Sequence, residues 1–489
     1  MQQFVDQINS YVWSPALVYL CLAAGLFFSI LTRFVQVRLF KEMIHLLFSS
    51  KESDRGISSF QALSVSLSGR VGTGNIAGVA AAIGFGGPGA VFWMWIVAFL
   101  GAATAYVESA LGQIYKEEHE GEYRGGPAFY IEKAMGQKWY AWIFALTTIV
   151  AVGLLLPTVQ SNAIGNAVEL AVGTGGILQT GLGEVSYTKL GTAMVVVTVL
   201  GIIIFGGVKR IAHFTQIVVP FMALGYIVMS LIIIGMHITA LPGIIMTIVG
   251  DAFTPMAGIG AAIGWGVKRG VYSNEAGQGT GPHAAAASEV QHPAQQGLVQ
   301  AFSVYVDTLF VCSATAFMIL ITQQYYVTGL DAEISGGLLG SDIQANSPAF
   351  TQLALESVMG GFGKTFVAVA LFFFAFTTLL AYYYIAETNV AYIRRTIQFP
   401  GELIVLKLIL LGSVFYGTIR TADLAWGLGD IGVGVMAWLN IVGILILFFM
   451  GKPALKALKD YEEQRNAGVE TYTFDPEALG IKNADFWKK

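Results

Sequence analysis

The chain has 489 residues, of which 55% are hydrophobic and 12% charged. A soluble globular chain carries roughly 25% charged residues, and half that share cannot coat a soluble surface of this size; the mean hydropathy is +0.65. Composition therefore excludes a soluble multi-domain protein and a disordered chain. The net charge of −4 leaves no bulk basic field for nucleic acid. The class these numbers define is an all-α polytopic membrane protein. Glycine, at 58 residues, is in surplus; membrane helices use it for close packing and for breaks. Cys21 and Cys312 both lie in apolar runs and read as small buried hydrophobes rather than a disulfide or a metal pair. The polar start MQQFVDQINS has no basic n-region, so no cleavable signal peptide is expected.

In chain order, about eleven apolar stretches are long enough to cross a bilayer, for which about 20 residues suffice. They fall near 13–32, 59–83, 88–115, 139–166, 188–207, 211–237, 254–281, 294–323, 365–392, 401–419 and 427–450. Between the first two, residues 34–48 place Val37, Phe40, Ile44, Leu47 and Phe48 at helical spacing with Arg38 and Lys41 interleaved. That pattern suits a helix lying on the inner membrane surface, or one packed on the bundle. Every second connection is basic. Arg33, Arg38, Lys41, Lys51 and Arg55 come first, then Lys116, Arg124, Lys133 and Lys138. Lys209 with Arg210, Lys268 with Arg269, Arg394 with Arg395, and the tail after 451 follow. Under the positive-inside rule this places the C-terminus in the cytoplasm and the N-terminus outside the cell membrane. The tail 452–489 reads as a short cytoplasmic helix with a loose end.

Two spans are unlike the rest. Residues 64–87 (SVSLSGRVGTGNIAGVAAAIGFGG) and 256–282 (MAGIGAAIGWGVKRGVYSNEAGQGTGP) are interrupted by glycine and polar residues. A break at membrane depth frees backbone N–H and C=O groups, which must face protein, water or a ligand. A broken pair in matching positions points to a transporter site between inverted repeats. With the first span set aside, the breaks open two sets of five spans, and an odd number per set forces opposite orientations. Gly78, Gly84, Gly260 and Gly264 read as packing positions. Gly72, Gly74 and Asn75 read as a site, since packing alone needs no Arg, Thr and Asn on the same turn. Bare amides at half-helix N-termini suit a carboxylate; freed carbonyls suit Na⁺ or an ammonium group.

Other polar groups sit inside apolar spans. Thr377 and Thr378 follow a phenylalanine run. Their hydroxyls can bond back to the preceding turn or join freed carbonyls around a cation. Pro157, Gln160, Ser161, Asn162 and Asn166 cluster in the fourth span, with Gln160 open to being an interhelical clasp or a substrate contact. Arg70, Glu108, Glu275, Asp307 and Glu387 are ionisable within or near spans. Glu108 and Glu387 read as helix or gate ion pairs, and Asp307 as either a partner of a basic residue or a relay. GTGNIAG lacks the dinucleotide-loop spacing, the histidines show no metal-ligand spacing, and no hydrolase motif appears, so neither an enzyme nor an enzymatic cofactor is expected.

The run 86–101 (GGPGAVFWMWIVAFLG) resembles the signature of the alanine or glycine:cation symporter family. Residues 69–80 (GRVGTGNIAGVA), 123–136 (YRGGPAFYIEKAMG) and 266–288 (GVKRGVYSNEAGQGTGPHAAAAS) are similar to that family too. The resemblance implies a leucine-transporter-like fold, a 5+5 inverted repeat preceded by one extra helix. It implies Na⁺-driven uptake of a small neutral amino acid. By motif position it places Thr73, Gly74 and Asn75 on the substrate carboxylate, Gln160 in the helix facing them, and Tyr272, Ser273 and Asn274 at the second break. It gives one Na⁺ the carbonyls of Ser68 and Val71 and the hydroxyls of Thr377 and Thr378.

The expected organisation is an extra helix and an interfacial helix over 1–56, repeats over 57–237 and 238–451, and a tail over 452–489. The expected activity is alternating-access symport by a monomer in the bilayer, with Na⁺ as coupling ion and alanine, glycine, D-alanine or glutamine as substrate. Two alternatives are a proton-coupled permease using Asp307 or Glu275 and a sodium:glutamine symporter of the same family. A gated channel fits two dissimilar broken helices in one chain less well.

Overall fold

A computed structural model describes residues 2–50, 53, 55–181, 183–254, 256–398 and 400–488, and is helical apart from two short hairpins, 117–124 and 177–186. Lys51, one of the basic residues used for orientation, lies outside the described residues.

In chain order the helices include α1 (Gln2–Val12), α2 (Pro15–Leu31), α3 (Ser59–Arg70), α4 (Val79–Gly86) and α5 (Gly89–Ile114). Then come α6 (Lys138–Val172), α7 (Tyr187–Ile204), α8 (Gly207–Met236), α9 (Leu241–Phe253), α10 (Ile259–Asn274) and α11 (Gly281–Ala287). The last are α12 (Pro293–Ile321), α13 (Phe362–Arg394), α14 (Glu402–Ile419), α15 (Ala422–Gly451) and α16 (Pro453–Asn466). Among the described residues, eight of these are long and apolar enough to cross a membrane: α5 to α8 and α12 to α15. The pair α1 and α2, bent by 42° at Trp13 and Ser14, makes a ninth. The remaining two of the eleven expected stretches are not single helices but α3 with α4 and α10 with α11.

Local chemistry accounts for these interruptions. A capping box starts α3: Gln61 N–H donates to Ser58 Oγ at 3.2 Å, and Ser58 N–H to Gln61 Oε1 at 2.8 Å. By Val71 (φ −78°, ψ 86°) the backbone has left the helix, and it resumes through a π-helical turn, Gly74–Gly78. In the second segment α10 stops where Glu275 takes a left-handed φ of 57°, and Gly277 (86°) and Gly279 (82°) continue the turn. Helices α6 and α12 stay continuous but widen to π turns at Ala151–Leu155 and Val306–Cys312. In α6 the cause is local, because Pro157 has no N–H for the turn before it.

Helix α5 runs through the middle of the bundle against α2, α10 and α12. Large lipid-type side chains such as Phe221, Leu224 and Met246 stay exposed on peripheral helices, whereas the centre is lined by buried Ala, Gly and polar residues. That is the reverse of a soluble fold and what hydrocarbon surroundings require.

Two sequence readings need correction. Lys268 and Arg269 are not in a basic connection. They lie on α10 and bind one carboxylate, Asp430 on α15, at 2.7 Å for Lys268 and at 2.8 and 3.1 Å for Arg269. Asp430 sits about two turns from the start of α15, at the end opposite the tail, and Trp13 donates to its carbonyl at 2.8 Å. A buried acid 161 residues downstream, not a membrane surface, thus explains the Arg269 charge. The tail is also not loose. Arg33 and Arg38 both bind Glu462 of α16, at 2.7 and 2.5 Å. Beyond α16 the chain folds back, burying Phe474, Ile481 and Ala484, and Trp487 donates to the Gln113 carbonyl at 3.0 Å. Lys116 Nζ, bonded to the Ser288 carbonyl at 2.9 Å, lies 4.4 to 5.3 Å from the ring centroids of Tyr123, Phe486 and Trp487.

Candidate functional site

The two interrupted segments meet in the middle of the bundle, where Gly74 packs against Ser273. A Cβ built on Gly74 would stand 3.0 Å from Ser273 Cα and 3.2 Å from its Oγ. Only glycine allows this approach.

At the first break the freed backbone groups are already engaged. Gly72 N–H donates to Asn75 Oδ1 at 2.8 Å, and Thr73 N–H to Gln160 Oε1 of α6 at 3.0 Å. Thr73 Oγ1 is buried with no hydrogen-bond partner among the described residues. Gln160 thus holds the first break from the neighbouring helix, with the Tyr272 and Tyr382 hydroxyls beside its amide. Its oxygen occupies a position that a carboxylate oxygen could take, on the same N–H. The Tyr272 ring lies 4.8 Å from that of Trp426.

Asp307 joins the two segments. Its Oδ1 accepts from Asn75 Nδ2 at 2.6 Å and from Ser273 Oγ at 3.0 Å, and its Oδ2 from Thr308 Oγ1 at 2.7 Å. Asn274 Nδ2 donates to Thr308 Oγ1 at 3.3 Å. Asp307 stands in the π turn of α12, a distortion that re-aims a side chain into the core. It pairs with no basic side chain within ion-pair distance among the described residues; its partners are the two breaks themselves.

Thr378 and Thr377 part company. Thr378 Oγ1 donates to the Ser68 carbonyl at 2.7 Å, tying α13 to the end of α3. Thr377 Oγ1 bonds back to the Phe373 and Phe374 carbonyls at 3.0 and 3.1 Å and faces Met222 Sδ. So Ser68 and Thr378 are brought together, and the Thr377 hydroxyl faces Met222 of α8 instead. A Cβ on Gly72 would meet the Thr378 hydroxyl and stand 3.0 Å from Gln160 Oε1.

Glu108 differs from its expected role as an ion pair. Its carboxylate accepts from the Gly277 and Gly279 N–H groups at 3.3 and 3.2 Å and from Asn440 Nδ2 at 2.7 Å. It therefore caps the second break. Nothing in the sequence signals this, because its main partners are backbone amides far along the chain. Glu387 does form an ion pair, with Arg124 at 3.1 Å.

The fold and this centre define a polytopic helical membrane protein whose polar core is the meeting point of two interrupted helices. The chain belongs to the sodium:alanine symporter family, which it matches over residues 1–476. It is 57% identical to YrbD of Bacillus subtilis (strain 168), provisionally named a sodium/proton-dependent alanine carrier protein, over 100% of this chain and 98% of that one. It is 47% identical to the sodium/proton-dependent alanine carrier protein of Bacillus sp. (strain PS3), over 91% of this chain and 97% of that one. It is 38% identical to GlnT of Bacillus subtilis (strain 168), provisionally named a sodium/glutamine symporter, over 96% and 93%. The family and these names make the chain a transporter rather than an enzyme.

Proposed function

We propose that the chain is a secondary active symporter that couples Na⁺ entry to uptake of a small neutral amino acid by alternating access. The observation that carries this reading is the contact of Gly74 with Ser273, which sets two interrupted helices against each other at one buried polar point. In this reading the substrate carboxylate displaces Gln160 Oε1 from the Thr73 N–H and engages the unpartnered Thr73 hydroxyl. Gly74 gives it room, and Asn75, Tyr272, Ser273 and Asn274 line the rest. Na⁺ takes the Ser68 and Val71 carbonyls with the Thr378 hydroxyl, while Thr377 supports the helix from behind. Bound Na⁺ then holds α3 against α13 and completes the substrate site.

The same reading counts α3 with α4 and α10 with α11 as one crossing each. Eleven spans result, arranged as an extra helix followed by inverted repeats over 57–237 and 238–451. The N-terminus lies outside the cell membrane and the tail 452–489 in the cytoplasm, and the monomer is the working unit. Alanine is the first substrate to test, given the names of the two relatives above 45% identity. Radiolabelled alanine uptake into proteoliposomes, with and without an inward Na⁺ gradient, tests the proposal. Uptake driven by the gradient supports it, and uptake indifferent to Na⁺ overturns the cation assignment.

One observation favours a second reading, in which a proton shares or replaces the Na⁺ role. Asp307 and Glu275 are carboxyls buried at the centre, with no ion pair among the described residues. That reading predicts alanine uptake driven by a pH gradient in Na⁺-free buffer. A glutamine substrate would show in the same assay as competition by glutamine.

A further inference from the structure

Three carboxyls, Glu108, Glu275 and Asp307, are buried around the breaks with one guanidinium, Arg70. Among the described residues Arg70 pairs with none of them within 4 Å; it donates to the Gln300 carbonyl at 3.1 Å. Each carboxylate must therefore replace its lost hydration with hydrogen-bond donors, or be neutral. The three differ sharply. Glu108 accepts from Gly277 N–H, Gly279 N–H and Asn440, and Asp307 from Asn75, Ser273 and Thr308. Among the described residues Glu275 accepts from Thr280 Oγ1 alone, at 2.8 Å.

Glu275 also lies against the first interrupted segment. Its backbone holds a left-handed φ of 57°, a conformation that Gly or Asn would adopt at less cost. Its Oε2 lies 3.1 Å from where a Cβ on Gly69 of α3 would stand. Its side chain borders a narrow cavity of about 10 Å³, room for one water molecule at most, between α3, α11 and α13, lined also by Ser66, Thr280 and Tyr384. The charged and titratable groups that face it are Arg70 from α3, Glu108 from α5, Asp307 from α12, Tyr272 from α10, and Tyr382 and Tyr384 from α13.

We propose that Glu275 is a proton-binding residue of the transport cycle. In the closed bundle it is a carboxylic acid, with the proton on the oxygen that Thr280 does not bond. When the cavity opens to water, that O–H bond breaks, the proton passes to a water molecule, and solvent stabilises the carboxylate left behind. Reclosure requires the proton to return. Loading of one proton is thereby added to loading of Na⁺ and amino acid as a condition for closure. The inference rests on the reading of the two interrupted helices as the moving, substrate-binding elements.

Infrared spectroscopy of the full-length protein in lipid at neutral pH tests it, comparing unlabelled protein with protein carrying isotope-labelled glutamate. A protonated-carboxyl band that shifts with labelled glutamate and disappears in Glu275→Gln is expected. No such band in the wild type, or one that survives in the variant, overturns the proposal. Uptake at a fixed Na⁺ gradient is the second readout. Wild-type uptake should fall by up to about tenfold per pH unit once Glu275 ionises, whereas Glu275→Gln, locked neutral, should give a flat profile. An unchanged profile in Glu275→Gln, or a flat one in Asp307→Asn instead, overturns it. Should Glu275→Gln fail to fold, the labelled band is measured in Glu108→Gln: its persistence there supports the proposal, and its absence in that variant or in the wild type ends it. Thermal protection of the wild type by alanine with Na⁺ is measured in parallel. Its absence would remove the symporter reading while leaving the infrared result to stand or fall by itself.

Discussion

Gly74 and Ser273 touch across the centre of the bundle: the first Cβ that could be added at Gly74 would lie 3.0 Å from Ser273 Cα. Neighbouring backbone cannot yield to a branched side chain there. Gly74→Val should therefore abolish alanine binding by separating the segments, not only by filling the carboxylate's approach. Gly74→Ala should weaken it by about tenfold or more, since 1.4 kcal/mol is a factor of ten and overpacking costs typically 1–3 kcal/mol. Binding to purified protein by isothermal calorimetry checks both. Unchanged affinity in the valine variant would return this contact to simple packing.

Thr377 and Thr378 give a discriminating pair. Thr378→Val removes the hydroxyl that meets the Ser68 carbonyl, and a lost ligand or buried hydrogen bond of about 1–3 kcal/mol should raise the Na⁺ concentration for half-maximal uptake roughly tenfold or more. Thr377→Val removes a hydroxyl that bonds back to the Phe373 and Phe374 carbonyls and meets Met222 Sδ of α8 at 3.9 Å, with no hydrogen bond to α3 among the described residues. It should shift Na⁺ dependence by less than about threefold. Sodium titration of uptake in the two variants checks this; equal shifts would place the ion elsewhere.

How much of this was legible follows from the range of the interactions. The stopping points of α3 and α10 show in the sequence, because glycines and polar residues inside an apolar stretch are a local signal. The choice between Thr377 and Thr378 does not show, since adjacent helical residues point about 100° apart and the direction of α3 is a tertiary fact. Lys268 and Arg269 read as an inner-surface pair because Asp430 lies far along the chain. Glu108 read as an ion pair because its partners are the Gly277 and Gly279 amides, which carry no side-chain signature. The tail read as loose because its composition is polar, yet Trp487 and Phe486 fold back on Lys116.

Gln160 holds Thr73 N–H at 3.0 Å and has the Tyr272 and Tyr382 hydroxyls near its amide. Gln160→Ala should leave the fold intact but remove the group that competes with, and orients, the substrate. Alanine affinity should weaken and the ranking of alanine, glycine, D-alanine and glutamine should change. A competition panel against labelled alanine reads this directly. An unchanged ranking would make Gln160 a clasp between helices and nothing more.

His292 lies buried between the start of α12 and the tail, and protonation would cost it the cap on α12 and charge a buried ring. Its Nδ1 accepts from Ala294 N–H at 3.1 Å, capping α12, so Nδ1 carries no proton, and its Nε2–H donates to Asp460 of α16 at 3.0 Å. Burial lowers its proton affinity from the ordinary value of 6.5, against a smaller opposing pull from Asp460. The folded form therefore binds fewer protons than the unfolded one below that value, and the stability this group contributes is present above pH 6.5 and lost as pH falls through it. Acidification from 7.5 to about 5.5 should thus loosen α16 and the segment after it. Hydrogen exchange across 453–488 should speed up in that interval in the wild type, and should change far less in His292→Asn, where a side-chain oxygen caps α12 without titrating. Exchange in the tail that is indifferent to pH in the wild type would show that His292 does not govern the docking.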